Sequence, residues 1–266
     1  MATILNSDKQ YHINVSTGDV GEYVILCGDP GRVPKIAEHF ENAKQMSYNR
    51  EYNVYIGYLD GVKVSAVSTG IGGPSSAIAV EELIKCNCHT FIRVGTSGGM
   101  KIDVGGGDLV IANAAIRSEG TSKEYLPYEY PAVSDFEVTS ALKNAAQKLC
   151  SGKEYDKYHI GVVHSKDSFY GETNPEDMPV DYMLKNKWDA FVKAGCLTSE
   201  MECAAIFSVA NSRKVRAGAV LSVLWNVERS KQGLADNINN STEKAIKCAV
   251  MAIKELINND KKISTL

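Results

Sequence analysis

Arginine residues lie beside glycine-rich segments at two places in this 266-residue chain. Arg32 lies in the segment 28–33, which follows the apolar run 23–27, and Arg93 opens the segment 93–99. Glycine lets backbone N–H groups approach an anion closely, and the two-pronged guanidinium matches the oxygens of a phosphate. The alternative is that these segments are ordinary tight turns between strands and helices. The arginines favour a site for inorganic phosphate or a phosphate ester.

Arg93 supports this prediction because it lies inside an apolar strand pattern, 90–94. A buried guanidinium without a partner is costly, so Arg93 must meet either a carboxylate or a bound oxyanion. Thr96 adds a hydroxyl, and Arg50 comes just before a predicted hairpin. Neither these segments nor a third one, 68–75, has the Gly-Lys-Ser/Thr sequence of a P-loop or a good dinucleotide fingerprint. Phosphate is therefore expected to be held by these side chains together with glycine N–H groups.

A second candidate group is the run Glu200-Met201-Glu202, which lies where a helix is predicted to begin. Acidic residues are favoured at a helix N-terminus, so a purely structural role is one interpretation. The functional interpretation is that a carboxylate binds the vicinal diol of a ribose while Met201 packs on the sugar. Phe169 and Glu172 follow a predicted strand, and the aromatic ring there either stacks on a planar ligand or fills the core.

The composition excludes several classes of protein. A net charge of −3, from 29 basic and 32 acidic residues, argues against nucleic acid or an anionic membrane as a partner. No stretch approaches 18 apolar residues and the N-terminus has no signal-peptide pattern, so a cytoplasmic protein is expected. The seven cysteines include no CxxC pair and the five histidines no HExxH pattern, so we expect buried reduced thiols and no metal site.

Strand and helix patterns alternate along the chain without a linker or a repeat, so residues 1–266 are predicted to form a single α/β domain. The predicted strands are 23–27, 53–59, 62–68, 90–94, 109–115, 160–164 and 217–224, and the predicted helices are 34–40, 75–86, 136–149, 179–194, 201–210 and 242–257. Asp60-Gly61 predicts a hairpin, which makes the sheet mixed. Ligands are then expected outside the carboxyl ends of the strands of a helix-flanked sheet.

Together these residues resemble the nucleoside phosphorylase family, which includes uridine phosphorylases and bacterial-type purine nucleoside phosphorylases. The resemblance covers essentially the whole chain. Its anchors are the segments 28–33 (Gly-Asp-Pro-x-Arg-Val), 49–51 (Asn-Arg-Glu), 68–75, 93–96 (Arg-Val-Gly-Thr), 131–136 (Pro-Ala-Val-x-Asp-Phe) and 200–202 (Glu-Met-Glu). It implies a three-layer α/β sandwich around a mixed, partly barrel-closed central sheet. It also implies homo-oligomers of dimers with shared active sites, commonly hexamers.

The resemblance further implies an activity and a role for each matching residue. The activity is reversible, phosphate-dependent cleavage of the N-glycosidic bond of a ribonucleoside or deoxyribonucleoside, with inorganic phosphate as co-substrate and no cofactor. Phosphate is expected at Gly28, Arg32, Arg93 and Thr96, with Arg50 from a neighbouring subunit; ribose at Glu200, Met201 and Glu202, with His12 from the neighbour; the base at Ser97, Gly98 and Phe169; and a monovalent cation at Glu51 and Ser75. Arg93, Glu202 and Asn226 are the expected catalytic residues.

The positions that would read the base depart from the family pattern. Uridine phosphorylases usually have a glutamine after the Phe-Tyr-Gly motif, where this chain has Glu172. An ionised carboxylate only accepts hydrogen bonds, so Glu172 would repel the uracil carbonyls and would suit the N1–H and amino groups of guanine. Asn226 stands near the position of an acid in bacterial-type purine enzymes, and Arg229 is a candidate replacement for an arginine of uridine sites. We therefore favour a purine nucleoside over uridine as substrate, with uridine phosphorylase as the alternative.

Other interpretations stay open at this point. Glu172 as a solvated loop residue, with the base read by backbone and water, is one of them. A nucleosidase would use water in place of phosphate, but Arg32, Arg50 and Arg93 argue against it. A non-catalytic nucleoside-binding protein would tolerate loss of the two acidic residues at 200 and 202, which this chain retains.

Overall fold

A computed structural model of the chain describes residues 8–263. Its strands are β1 (Tyr23–Cys27), β2 (Glu41–Asn49), β3 (Tyr52–Leu59), β4 (Val62–Ser68), β5 (Thr90–Gly99), β6 (Leu109–Ser118), β7 (Ala132–Val133), β8 (Tyr158–Lys166), β9 (Thr198–Glu200) and β10 (Arg216–Asn226). Its α-helices are α1 (Arg32–Ala37), α2 (Gly73–Lys85), α3 (Phe136–Leu149), α4 (Phe169–Thr173), α5 (Asp181–Lys193), α6 (Cys203–Arg213), α7 (Val227–Lys231) and α8 (Glu243–Ile263).

The strands form one mixed sheet that closes on itself at one end. Its order is β10-β6-β8-β9-β5-β1-β4-β3-β2, and β10 also pairs with β5, so that five strands complete a barrel. Strand β1 runs parallel to both β4 and β5, whereas β3 is antiparallel to both β2 and β4. The predicted mixed, partly barrel-closed sheet is therefore confirmed.

Helices cover both faces of this sheet. Helices α2 and α6 contribute Leu83 and Phe207 to one buried layer, and α3 and α8 contribute Leu142 and Ile253 to the other. Strand β1 serves both layers, because successive side chains of a strand point to opposite faces, and all five of its residues are buried. Burial on both faces explains why this strand is a continuous apolar run in the sequence.

Several local predictions are confirmed in detail. The segments 62–68 and 136–149 coincide with β4 and α3. Asp60 and Gly61 both have positive φ, 50° and 74°, as the predicted hairpin turn requires. Other ends shift: the helix predicted for 34–40 begins at Arg32, and the helix predicted for 242–257 continues to Ile263.

The segment 93–99 is not a turn as predicted, because β5 continues through it to Gly99. Glycine at position 95 instead makes room, since a Cβ there would lie 2.7 Å from the Arg93 Nη2 and 2.7 Å from the Leu221 Cδ2. Three strands escaped prediction. Strand β2 is a polar edge strand without apolar alternation, and β7 and β9 have only two and three residues. The helix predicted from 201 begins at Cys203, after β9.

The topology places the ends of several strands around one space. Gly28 follows β1, Gly70 follows β4, and the second half of β5 passes between them and β10. Gly70 has a φ of +69°, and a Cβ at this position would lie 2.9 Å from the Glu51 Cγ. The glycines therefore allow three backbone segments to approach one another at the edge where ligands are expected.

Candidate active site

A cavity of about 1390 Å3 opens where β1, β4 and β5 end, with α4 and α5 forming its far wall. It brings together residues that are separated by more than 170 positions in the chain. The predicted site residues that line it are Gly28, Arg32, Arg93, Thr96, Ser97, Gly98, Phe169, Glu172, Glu200, Met201 and Glu202. Most of the predicted phosphate, ribose and base residues of one chain thus share a single space.

Arg93 lies at the centre of this space and is paired with two carboxylates. Its Nη2 is 3.0 Å from the Glu200 Oε2 and also contacts the Glu202 Oε2, while its Nε donates to Glu200 at 3.1 Å. Only 4% of the Arg93 side chain is exposed. Burial opposes its charge, but Glu202 and Glu200 together raise the pKa of the guanidinium. The partner that the sequence demanded for Arg93 is therefore a pair of carboxylates within the chain.

The Glu200 carboxylate makes its hydrogen bonds within the protein. Its carboxylate accepts from the Glu202 N–H at 2.8 Å, from the Cys203 N–H at 3.0 Å, from the Ser165 hydroxyl and from Arg93. Burial disfavours ionisation, but Arg93 and these donors lower the pKa of Glu200. This carboxylate fixes the start of α6 and the orientation of the guanidinium.

The Glu202 carboxylate has fewer hydrogen-bond partners within the protein. Its Oε1 accepts from the Gly72 N–H at 2.6 Å, and its Oε2 contacts Arg93. A carboxylate offers about four lone-pair positions, so acceptor positions remain on both oxygens. Burial raises the pKa of Glu202, Glu200 adds to that effect, and Arg93 opposes it. Of the two acidic residues, Glu202 is the one suited to bind sugar hydroxyls.

Arg32 is a half-buried cation of the site and has no acidic partner among residues 8–263. Its Nη1 donates to the Val94 carbonyl at 3.1 Å, and within residues 8–263 it forms no ion pair with a carboxylate. Burial lowers its pKa, and the nearby charge of Arg93 adds to this effect. A bound anion would compensate both the burial of the Arg32 charge and its repulsion by Arg93. Gly28 and Thr96 line the same part of the cavity.

The opposite end of the cavity carries Phe169 and Glu172. The Phe169 side chain is 44% exposed, at the start of α4, where the Ser168 hydroxyl accepts from the Gly171 N–H. Glu172 is buried instead: its Oε1 lies 2.8 Å from the Lys166 Nζ, and its Oε2 accepts from the Ser199 hydroxyl at 2.5 Å. The alternative of a solvated Glu172 is therefore wrong.

Glu172 is held ionised by its neighbours. Burial favours the protonated form, but hydrogen bonds from His164 and Ser199 and the charge of Lys166 lower the pKa of Glu172 below its ordinary value. The His164 Nδ1 is 3.3 Å from the Glu172 Oε2. Sequence reasoning missed Lys166 and Ser199 as site residues. The available signal was the run of polar residues His164-Ser165-Lys166 at the end of a strand.

Asn226 and Arg229 do not line the cavity. The Asn226 side chain is buried; its amide donates to the Lys101 and Val104 carbonyls at 2.7 Å each, and its oxygen accepts from the Arg229 N–H at 2.9 Å. Arg229 donates to the Ala235 carbonyl at 2.7 Å. Because these groups are engaged in holding loops together, the geometry gives neither residue access to a base in the cavity.

His12 and Arg50 lie together outside the cavity. The His12 Nδ1 is 2.6 Å from the Glu82 Oε1, and the Arg50 guanidinium lies 5.7 Å from the centre of the Tyr11 ring. Tyr11 and Tyr48 beside them are largely exposed. Both residues therefore form one surface patch, and neither lines the cavity.

Glu51 and Ser75, the predicted monovalent-cation residues, lie close to each other. An added Cβ at Gly70 would be 2.9 Å from the Glu51 Cγ and 3.4 Å from the Ser75 Oγ.

Across the part of the chain that the structure describes, three or more His, Cys, Asp or Glu residues nowhere group so as to hold a metal ion. Nor does any helix between residues 8 and 263 have the length and apolar character needed to span a membrane.

Comparison with known proteins places these observations in context. Residues 22–258 match the family model of the phosphorylase superfamily. The chain is 52% identical over 260 residues to a uridine phosphorylase of Treponema pallidum, covering 98% of this chain and 99% of that protein. It is 45% identical over 228 residues to a uridine phosphorylase of Thermococcus kodakarensis, covering 85% and 80%. It is also 38% identical over 250 residues to a guanosine phosphorylase of Halorubrum lacusprofundi, covering 94% and 97%.

Proposed function

This chain belongs to the phosphorylase superfamily, as a pentosyltransferase of the nucleoside phosphorylase family, and we propose that it is a uridine phosphorylase. The reaction is phosphate-dependent conversion of uridine into uracil and ribose 1-phosphate, and it is reversible. The observation that carries this choice of base is the similarity of nearly the whole chain to two uridine phosphorylases.

The state of Glu172 removes the reason for which the sequence favoured a purine nucleoside. That expectation required a carboxylate free to accept from both the N1–H and the amino group of guanine. Both Glu172 oxygens instead already accept from the protein, from Lys166 on one side and Ser199 on the other. This occupancy removes the contact on which the purine expectation rested, and the comparison with uridine phosphorylases favours uridine, the former alternative. Guanosine stays the second candidate because one relative is a guanosine phosphorylase.

Phosphate in this proposal lies at the Arg32 end of the cavity. The unpaired guanidinium, the Thr96 hydroxyl and the backbone at Gly28 surround the position of the anion. Arg93 contributes positive charge from the side, although its main partners are Glu200 and Glu202. Fixing the anion there places the nucleophile on the face of the ribose opposite the departing base.

The ribose lies between the two ends, held by the free acceptor positions of Glu202 and by packing on Met201. Arg93 keeps the Glu202 carboxylate oriented and counters the effect of burial on its charge. As the C1′–N bond stretches, the ribosyl ring gains oxocarbenium character, and phosphate then captures C1′. The leaving uracil gains negative charge, which donors at the Phe169 end stabilise.

The experiment that tests this function measures base release from uridine, guanosine, inosine and adenosine side by side, with and without phosphate. Phosphate-dependent release of uracil, with purines at least about 100-fold poorer in kcat/KM, is the expected result. Release of guanine or hypoxanthine in preference to uracil would assign the second candidate. Release at the same rate without phosphate would identify a nucleosidase and refute the proposal.

We also propose that the catalytic unit is an oligomer. His12 and Arg50 lie outside the cavity of their own chain, on a patch with exposed aromatic rings. A second copy of the chain that packs on this patch would receive both residues in its own cavity. A dimer with shared sites, assembled further into a hexamer, fits this arrangement.

A further inference from the structure

The base end of the cavity contains a buried quartet of polar side chains, His164, Lys166, Glu172 and Ser199. Lys166 and Glu172 are 10% and 11% exposed and pair at 2.8 Å. The Lys166 Nζ also donates to the Ser199 Oγ at 2.8 Å, and Ser199 donates to Glu172. The four side chains thus form a connected network, and all of them line the cavity.

Counting donors and acceptors shows what this network leaves for a ligand. An ammonium group has three N–H donors and a carboxylate about four acceptor positions. Glu172 and Ser199 take two of the Lys166 donors, and no third acceptor is found for it among residues 8–263. Lys166, Ser199 and His164 fill three positions on Glu172, which leaves about one. The pair therefore presents one donor beside one acceptor.

One donor beside one acceptor matches part of the uracil edge. Uracil presents an N3–H donor flanked by two carbonyl acceptors. Guanine presents a further donor, its amino group, for which Glu172 has no second free position. The pairing groups of the quartet are thus complementary to uracil.

We infer that Lys166 and Glu172 together read uracil, with Glu172 accepting from N3–H and Lys166 donating to a flanking carbonyl. This inference rests on the proposed uridine phosphorylase function. The ion pair takes the place of an amide side chain, which has a hydrogen-bond donor and an acceptor in a single group. It removes the conflict between Glu172 and the uracil carbonyls, because Lys166 faces the carbonyl in place of the carboxylate. Lys166 also stabilises charge on the departing base, so it is a catalytic residue.

Two neighbouring observations support this location for the base. The Lys166 Nζ lies 6.0 Å from the centre of the Phe169 ring, the aromatic group available to stack on a planar base. Ser97 also lines the cavity, and its buried hydroxyl has no hydrogen-bond partner within the described part of the chain. A buried hydroxyl without a partner is costly, so a ligand that supplies one is favoured here.

The test uses four variants of the full chain: Lys166→Met, Glu172→Gln, the double variant, and Lys187→Met as a control. Lys187 also lines the cavity but is exposed on α5. The decisive comparison is the effect of removing Lys166 in the presence of Glu172 and in the presence of glutamine. Glutamine carries its own donor and acceptor, so it needs no lysine to read uracil.

Each assay measures kcat and KM for uridine at saturating phosphate, together with the KM for phosphate and thermal melting. Lys166→Met should lower kcat/KM for uridine by about 100-fold or more and leave the KM for phosphate within about 2-fold. In the Glu172→Gln background, the same substitution should cost less than about 10-fold. Lys187→Met should stay within about 2-fold of the unsubstituted enzyme.

The inference is overturned if Lys166→Met behaves like Lys187→Met, or if its cost is the same in the glutamine background. It is also overturned if the loss in Lys166→Met extends equally to the KM for phosphate and to thermal melting, which would indicate a purely structural role. An unsubstituted enzyme that does not cleave uridine refutes the proposed function itself. That result is distinguishable, because it precedes any comparison of variants.

Discussion

Replacing Arg93 by methionine should destabilise the protein in a manner that depends on pH. The substitution keeps the length and the apolar stem of the side chain but removes the guanidinium from between Glu200 and Glu202. Glu200 keeps the Ser165 hydroxyl and two backbone N–H donors, whereas Glu202 keeps only the Gly72 N–H. The cost therefore falls mainly on Glu202.

The magnitude follows from the burial of this carboxylate. Removing one partner of a buried ion pair costs about 3–5 kcal/mol, because a charge is left without compensation. Burial already raises the pKa of Glu202 above its ordinary value of 4.5, and loss of Arg93 raises this pKa further. Each unit of additional increase corresponds to about 1.4 kcal/mol at a pH above the folded-state pKa.

The sign of the pH dependence follows from proton binding. Between the unfolded and the folded pKa of Glu202, the folded state retains a proton that the unfolded state has lost. The free energy of unfolding therefore falls as pH rises through this interval. Below pH 4.5 both states are protonated and this penalty disappears, so the variant should be relatively more stable in mild acid than at neutral pH.

Urea unfolding at pH 5.5 and pH 7.5, at one fixed protein concentration, measures this effect. Arg93→Met should lose about 3–5 kcal/mol at pH 7.5 and less at pH 5.5. Adding Glu202→Gln should recover at least about 1 kcal/mol at pH 7.5, because position 202 then carries no buried charge. Arg213→Met is the control: its ion pair with Glu81 is half-exposed, so its loss should stay within about 1 kcal/mol.

Two results would refute this reasoning. One is a loss for Arg93→Met no larger than that for Arg213→Met at both pH values. The other is a large loss that is the same at pH 5.5 and pH 7.5 and is not reduced by Glu202→Gln. Either would mean that the carboxylates do not depend on Arg93 for their charge.

Three further predictions address the site and the assembly. Arg32→Met should raise the KM for phosphate by about 10- to 100-fold in initial-rate assays, and an unchanged KM would remove this residue from the phosphate site. Gly95→Ala should lower kcat/KM by about 10-fold or more, because its Cβ would lie 2.7 Å from the Arg93 Nη2; native kinetics at native thermal stability would contradict this. Arg50→Ala and Glu202→Gln should each be nearly inactive alone, yet regain activity when the two proteins are unfolded and refolded together, since one mixed site would have both native residues. No recovery in the mixture would argue against shared sites.

The sequence predicted those parts of the fold that are set by local pattern. Helix α3 and strand β4 have a clear apolar period, and the hairpin at Asp60 rests on backbone conformations that few residue types favour. The full length of strand β5 was harder to predict, because its glycines indicate a turn when only the neighbouring residues are considered. Their actual role is to leave room for Arg93, which depends on β10 passing alongside.

The prediction of the site was most specific where a buried charged residue required a partner. Arg93, inside an apolar strand, required a carboxylate or an anion, and the structure supplies two carboxylates. The base end was less accessible to sequence reasoning, because the pairing of Lys166 with Glu172 and Ser199 joins three separate segments of the chain. Asn226 has a side chain that could contact a base, but its amide donates to two backbone carbonyls instead. Only the three-dimensional structure reveals these hydrogen bonds.

The polar character of β2 has a consequence for how the protein behaves at high concentration. Closure of the barrel by β5 and β10 removes one edge of the sheet, and β2 is the strand at the other end of its described order. An open edge strand is a template on which strands of other molecules can add. The exposed charges of Glu41 and Lys44, and two irregularities in the register with β3, interrupt that template. The sequence of β2 thus resists aggregation at the open edge that barrel closure leaves.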